Sequence, residues 1–475
     1  MHVFHYPRAE NASEPFVSFV LAGQTRPSQV ISRIELASLA ARGAEFLMRK
    51  GLSSGDRFLL CMDANRVDDL AWRWAAASTG TVPVTVNWQA DSNERIRYKF
   101  ERTSSKLAVL APGFLTDDRR PLLDAFHCET VALGDESQAL DRPAKNFSLQ
   151  ESDTRIIIFT SGTTGEPKPV ALSYAAYEVN QRVFESLLNI DSGEDLTLVV
   201  SNPLHHANST AVTDWAMRRP RTQIVLVERF SRAFWAVLVN VVESTEGRVV
   251  VPAVSRHFDV LEAMAERNEL GVDEDRLKKA LSRVVFLVGS APVGPTAVKS
   301  FQRWTGRLPL VRFGSTELCL QALGTSPERP ETDRLNAFQQ GWEHECEGEL
   351  LSGFYIGRPH PPWTEARIVA SVDKAAPNFL QPVGPGVLGR LDVVKGGPQY
   401  AHNQVDRLAP LVLLRRVAAV AQKVQHLALG VEHLRSGAVD DPRARRERDA
   451  AFAVGLVDGE VVVPRRLRRP HERAV

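Results

Sequence analysis

Apolar and polar positions along this chain fall into alternating blocks of two kinds. Short apolar runs recur at 58–62, 82–86, 107–110, 156–159, 196–200, 248–254 and 284–288. They are rich in β-branched and aromatic residues and read as buried strands. Between them lie stretches with helical spacing. Ser32 and Glu35 form a capping box. The helix after it carries Leu36, Leu39, Phe46 and Leu47 on one face and stops near Gly51. Further helices are predicted from Leu70 through Trp72 and Trp74 to Gly80, over 95–101, opening over 170–180, and over 295–306, with a strand at 308–312 after the last. Strands alternating with helices predict an α/β layer fold with largely parallel pairing.

One stretch interrupts this rhythm with chemistry. Residues 155–170 read RIIIFTSGTTGEPKPV. The strand over 156–159 stops at Thr160-Ser161-Gly162-Thr163-Thr164-Gly165, six residues with four hydroxyls and two glycines. Glycines let backbone N–H groups close on a ligand without a Cβ in the way. The hydroxyls add donors and Lys168 adds a positive charge, so the concavity suits an anion, most simply a phosphate. A polar hairpin or surface loop has the same residue types. A Walker-type loop needs Gly-Lys-Ser/Thr in sequence, and here Glu166-Pro167 separates Gly165 from Lys168.

TSGTTGEPK resembles the phosphate-loop signature of the adenylate-forming superfamily, which contains acyl-CoA synthetases, luciferases and peptide-synthetase adenylation domains. The family has glycine after the lysine, where this chain has Pro169. GLSSGDRFLLCMDAN and TGTVPVTVNWQADSNERIRY resemble the family's first strand and its VP turn. Asn202-Pro203-Leu204-His205-His206-Ala207-Asn208 is similar to its PLFHxN segment. By that match His206 is the histidine near the carboxylate substrate, and His205 replaces an aromatic. Taken alone, two adjacent loop histidines also read as polar surface, and no third ligand at a supporting spacing points to metal. Gly289-Ser290-Ala291-Pro292 resembles the GGAP turn, which implies an adenine-pocket role. Phe313-Gly314-Ser315-Thr316-Glu317 resembles YGxTE. The resemblance implies that Phe313 stacks on adenine, Gly314 and Thr316 line the nucleotide, and Glu317 helps hold Mg²⁺, with Thr160 as a second metal-side group. Residues 357–369 and 385–391 resemble the family's later hairpins more loosely, with Val387 and Arg390 in place of two acidic residues.

Composition narrows the partners. Lys+Arg number 58 against 57 Asp+Glu, a formal charge of +1, so nothing global points to nucleic acid. Four scattered cysteines with no C-x-x-C argue against a zinc site or a disulfide framework and fit a reducing, cytoplasmic compartment. MHVFHYPRAEN lacks the apolar core of a signal peptide. No apolar run approaches the roughly 18 residues of a membrane span.

After Val369 the composition changes. No Ile, Thr, Met, Trp or Cys follows Ala370, and from Ala401 there are 13 Arg, one Lys and nine acidic residues. The family's GWxxTGD segment, with its ribose-binding aspartate, and its C-terminal catalytic lysine are not recognisable. Three accounts stay open: a diverged C-terminal module, Arg runs that bind an acidic partner, and a shifted reading frame that removes several residue types at once.

The resemblance implies an adenylate-forming domain over 1–395, built of two α/β subdomains and a smaller β-rich part, and an atypical Arg-rich segment over 396–475. It implies an acid–thiol ligase of the acyl-CoA synthetase type, as in fatty acid metabolism. Such an enzyme uses ATP, Mg²⁺ and a small-molecule carboxylic acid, with CoA or a carrier-protein thiol as acceptor. Thr160, Ser161, Gly162, Thr163, Thr164, Gly165 and Lys168 would hold phosphates, Gly289, Ser290 and Ala291 the adenine, and His206 the carboxylate. A degenerate nucleotide-binding relative and an adenylate-only ligase are the alternatives.

Overall fold

In a computed structural model the chain divides into two compact units, Met1–Gln181 with Ile190–Ala253 and Ala263–Phe286, and Arg182–Asn189 with Val254–Glu262 and Leu287–Val475. The described residues are 13–120, 126, 128–130, 149–160, 167–191, 193–346, 349–371, 375–383, 390–395, 455–457 and 460–465. Two mixed sheets and a small β part make up the α/β fold.

In the first unit, β1 (Pro15–Val20) and β2 (Gln29–Ser32) form an antiparallel pair that leads into α1 (Arg33–Arg49). The predicted capping box is present: Ser32 Oγ accepts from the Glu35 N–H, and the Glu35 carboxylate accepts from the Ser32 N–H at 2.7 Å. Then β3 (Arg57–Cys61), α2 (Val67–Thr79), β4 (Val82–Thr85), α3 (Asn93–Arg102), β5 (Leu107–Leu110), β6 (Cys128–Thr130), β7 (Thr154–Thr160) and β8 (Lys168–Ser173) follow. They give one sheet in the order β6-β5-β3-β4-β7-β8. Its pairs are parallel except β7–β8. Leu59, Val84 and Ala108 on neighbouring strands, with Ile96 of α3, meet in one buried cluster.

The helix expected to open at 170 starts later. Lys168–Ser173 returns antiparallel to β7, and α4 runs Tyr174–Leu188. Val170 and Leu172 have the spacing of a strand, and six ladder partners on β7 decide in its favour.

β9 (Leu196–Val200), α5 (Ala207–Arg218), β10 (Thr222–Val227), α6 (Phe234–Ser244) and β11 (Arg248–Ala253) build the other sheet of this unit, in the order β11-β9-β10-β1-β2. Helices α7 (Ser255–Glu266) and α8 (Glu274–Leu281) precede β12 (Val284–Val288). In the second unit, α9 (Pro295–Thr305) leads to β13 (Leu310–Ser315), which pairs with β14 (Leu320–Gly324). The strand expected over 308–312 thus continues to Ser315. Further on lie α10 (Glu331–Trp342), β15 (His344–Cys346), β16 (Glu349–Tyr355), β17 (Arg358–Pro359), β18 (Thr364–Val369) and β19 (Arg390–Lys395). β18 and β19 form a hairpin in register from Thr364–Lys395 to Val369–Arg390. Strands β20 (Gly455–Val457) and β21 (Glu460–Arg465) pair with each other, and β21 with β16. The rest of the Arg-rich segment lies outside the described residues. Among the described residues, no helix is long and apolar enough to cross a membrane.

A buried polar network crosses the first unit. Arg155 on β7 meets Asp214 on α5 at 3.0 Å, and Arg218 meets Asp214 at 2.8 Å and Glu178 at 3.0 Å. Arg73 on α2 pairs with Asp69 at 2.8 Å and donates to the Thr213 hydroxyl of α5 at 3.0 Å. Burial opposes the charge on Asp214, but Arg218 and Arg155 outweigh it and hold the carboxyl below its ordinary range.

Removing Asp214 takes away the carboxylate that Arg155 and Arg218 share in the interior. Asp214→Ala is expected to cost about 3–5 kcal/mol, read as a drop in the urea midpoint. Because the folded-state pKa of Asp214 is lowered, its stabilisation is complete above the ordinary carboxylate range and is lost as pH falls through the folded value. Asp214→Asn therefore flattens the acid limb of stability against pH; an unchanged limb would refute the assignment.

Candidate functional site

The Gly-rich segment is held at its two ends by a hairpin. β7 and β8 are in register from Thr154–Ser173 to Thr160–Lys168, so Thr160 and Lys168 are direct cross-strand partners. Ser161, Gly162, Thr163, Thr164 and Gly165 lie between them, outside the described residues. Thr160 is partly exposed and Lys168 is exposed. Pro169 partners Phe159 on β8, the outermost strand of its sheet, where a missing N–H is tolerated. On the neighbouring helix, Lys99 places its ammonium 5.0 Å from the Phe159 ring and pairs with Asp91.

The histidine pair sits between β9 and α5, in a loop fastened from inside by Asn65. Asn65 is fully buried at 0% exposure. Its Nδ2 donates to the carbonyls of Asn202 at 3.1 Å and Val227 at 3.0 Å, and its Oδ1 accepts from the Leu204 N–H at 2.8 Å. Ser209 Oγ donates to the Asn202 carbonyl at 3.0 Å. Held this way, the loop turns His206 outward as the N-cap of α5 and His205 inward. The two rings lie 4.3 Å apart, and His205 meets the Trp88 ring edge-on at 5.7 Å. The Arg229 guanidinium lies 4.8 Å from that indole. His205 is 6% exposed, and burial, with His206 and Lys99 nearby, pushes its pKa down to about 2, so it is neutral at physiological pH. Among the described residues, neither ring nitrogen of His205 nor the Trp88 indole N–H has a hydrogen-bond partner. Buried polar atoms of this kind call for a water or a ligand.

In the second unit, the parallel pairing of β12 with β13 sets Leu287 beside Leu310 and Val288 beside Val311. Gly289 follows directly, and a Cβ there would stand 2.9 Å from the Arg312 carbonyl oxygen. Ser290 is exposed with φ 65°, a left-handed conformation that costs a side-chain-bearing residue about 1–2 kcal/mol. Ala291 is partly exposed. Arg312 is buried, donates to the Leu287 carbonyl at 3.3 Å, and has its pKa lowered to about 9 by that burial. Phe313 and Gly314 lie in β13 just before its last residue, Ser315, and Thr316–Leu318 forms one turn of 3₁₀ helix, with Phe313, Thr316 and Glu317 all partly exposed. A Cβ on Gly314 would coincide with the Leu320 carbonyl oxygen of β14.

The fold thus brings Thr160 to Lys168 in one unit, and the Gly289 turn to the strand carrying Phe313 in the other. Thr160, Lys168 and His206 belong to the first unit, and Gly289, Ser290, Ala291, Phe313, Gly314, Thr316 and Glu317 to the second. Among the described residues, no cluster of three or more His, Cys, Asp or Glu side chains could hold a metal alone. Asn65, Trp88 and Arg312 were not singled out from sequence. Each is one polar or aromatic letter beside an apolar run, and only the fold shows what it holds.

The model of the family described as AMP-binding enzyme matches residues 10–396. The 2-succinylbenzoate–CoA ligase of Bacillus licheniformis is 27% identical over 297 residues, 62% of this chain and 57% of that protein. The long-chain-fatty-acid–CoA ligase FadD13 of Mycobacterium tuberculosis (strain H37Rv) is 24% identical over 283 residues, 56% of this chain and 51% of its own. The chain spans about half the length of the curated relatives it matches. Among solved structures, ATP-bound MatB from Rhodopseudomonas palustris is similar with TM-score 0.64 and 18% identity, covering 96% of this chain and 76% of that one. The inhibitor-bound N-terminal domain of FACL13 from Mycobacterium tuberculosis has TM-score 0.64 and 18% identity over 96% of each chain. At these identities the structural likeness is one of fold.

Gly314→Ala is expected to destabilise the second unit by about 3 kcal/mol, the upper range for overpacking. Gly294→Ala is the control, because its nearest neighbour would be Phe354 Cε1 at 3.7 Å. Thermal melts should rank Gly314→Ala clearly below Gly294→Ala; equal melting points would contradict the hairpin geometry.

Proposed function

Because the chain belongs to the AMP-binding enzyme family, we propose that it activates a carboxylic acid with ATP, forming acyl-AMP and pyrophosphate, and passes the acyl group to a thiol, most simply that of CoA. The carboxylate oxygen attacks the α-phosphorus, and the bond to the bridging oxygen of pyrophosphate breaks. The observation that carries this reading is the opposition of Thr160 and Lys168 at the mouth of the Gly-rich segment. A hairpin closed in that register sets a hydroxyl and an ammonium on either side of a run of small hydroxyl residues, a donor set matched to the β- and γ-phosphates.

The other groups follow by chemistry. Phe313 is partly exposed and offers an aromatic ring for adenine, and the small residues Ser290 and Ala291, exposed and partly exposed after β12, leave room for a flat ring. His206 is exposed at the N-terminus of α5, where a carboxylate is favoured by the helix dipole. Glu317 is the one carboxylate in its turn, which fits Mg²⁺, an ion that keeps several waters and phosphate oxygens and needs few protein ligands. When bound, that ion would neutralise charge on the phosphates. The protein's own contribution is orientation and fixed donors.

A second reading, a nucleotide-binding relative without catalysis, is favoured by one observation. Residues 396–475 hold no GWxxTGD segment. An adenylate-only ligase would release acyl-AMP and make no thioester.

The deciding experiment is ATP–pyrophosphate exchange against a panel of alkyl, aryl and dicarboxylic acids. Acid-dependent exchange is expected, and Glu317→Ala should lower it by about a hundredfold or more with the fold intact by circular dichroism. ATP binding without acid-dependent exchange would establish the second reading instead.

A further inference from the structure

The turn that carries Thr316 and Glu317 is costly to form. Ser315 and Leu320 close it as cross-strand partners, and the Cys319 N–H donates to the Thr316 carbonyl at 3.0 Å. Its last two residues, Cys319 and Leu320, have φ of 47° and 80°. Two successive residues with side chains in the left-handed region crowd Cβ against the backbone and are strained. Such strain persists only where surrounding structure over-determines the conformation.

The β18–β19 hairpin supplies that support. Ile368 of β18 and Leu391 and Val393 of β19 share a buried cluster with Ala322 and Leu323 of β14, and Phe313 and Leu318 pack against it. At the end of β19, Lys395 Nζ donates to the Cys319 carbonyl oxygen at 3.1 Å. That carbonyl lies between the two left-handed residues. A backbone carbonyl needs only a neutral donor, whereas Lys395 brings an ammonium whose burial lowers its pKa to about 8. A hydrogen bond from a charged donor is roughly twice as strong as a neutral one.

We propose that Lys395 is a positioning residue: through the Cys319 carbonyl it locks the strained turn that presents Thr316 and Glu317, and so sets the affinity for magnesium–ATP without touching the nucleotide. This rests on the function proposed above. It assigns a role to the last described residue of the β18–β19 hairpin, next to the position where the family match ends.

The test uses the full chain with Lys395→Met, Lys395→Arg and Glu317→Ala, alone and as the double variant Lys395→Met/Glu317→Ala. Two readouts are taken: Mg²⁺-dependent ATP affinity by calorimetry, and KM for ATP and for the acid in pyrophosphate exchange. Lys395→Met should weaken magnesium–ATP binding about tenfold, with KM for the acid within twofold. Lys395→Arg should restore binding to within about threefold and shows the effect in a folded protein if the Met variant fails to fold. In the Glu317→Ala background, Lys395→Met should change ATP affinity less than twofold, because both act through one group. Independent, multiplying losses would overturn the proposal. So would Met and Arg variants that both melt lower yet bind magnesium–ATP like wild type. Wild-type protein that binds magnesium–ATP but shows no exchange would sink the catalytic reading alone, and the binding arms would still decide the role of Lys395. Wild-type protein that binds no ATP would overturn both.

Discussion

Arg155 on β7 and Asp214 on α5 face one another in the interior of the first unit, and what those elements carry depends on the pair holding. Arg155 lies one residue into a strand whose other end is Thr160. Asp214 lies in the helix that His206 caps. The pair therefore ties the strand leading to the Gly-rich segment to the helix that begins at the histidine pair. Burying two charges is costly, and their attraction offsets the cost only when the geometry is good and further hydrogen bonds support the pair. Here Arg218 takes the second oxygen of Asp214 and reaches on to Glu178, while Arg73 and Asp69 pair beside the same helix. Directional links of this kind favour one relative placement of strand and helix over a sliding contact between apolar faces.

A division of labour runs through both units. The side chains with the chemistry to meet a ligand are exposed or half-exposed: Lys168, His206, Phe313, Thr316 and Glu317. The groups that hold them are interior. Asn65 fastens the histidine loop to the end of β10 through backbone atoms of both, and Arg312 reaches back to the strand before the Gly289 turn. Most of these holding contacts end on carbonyl oxygens, so they fix the backbone path and leave the outward side chains unencumbered. Left-handed backbone without glycine marks the same places, at Ser290 and at Cys319–Leu320.

Much of this was legible in the sequence because it rests on local signals. The capping box at Ser32 and Glu35, the strands at 107–110 and 196–200, and the αL stop of α2 at Gly80 follow from rules that reach only a few residues. The order of motifs around TSGTTGEPK pointed to the family. Two kinds of feature were out of reach. Residues 170–173 read locally as the opening of a helix, and it is the six ladder partners on β7 that make Lys168–Ser173 a strand. Asn65, Arg312 and Lys395 matter through partners tens to hundreds of residues away, and no spacing rule in one chain links them. The histidine pair was half legible: its position was, but which ring faces inward depends on the Asn65 bonds.

The sheet order also has a consequence in time. β1 is flanked by β2 on one side and by β10 on the other, with Val17 opposite Ile224. Those partners are 207 residues apart along the chain (224 − 17). At synthesis rates of roughly 5–20 residues per second, β1 waits on the order of 10–40 s for its parallel neighbour. Until then its Phe16, Val17, Phe19 and Val20, all buried in the finished fold, lack that neighbouring strand. A contact of such sequence separation forms late and slowly. On the ribosome, the interval before β10 emerges is therefore when this nascent chain most needs a chaperone.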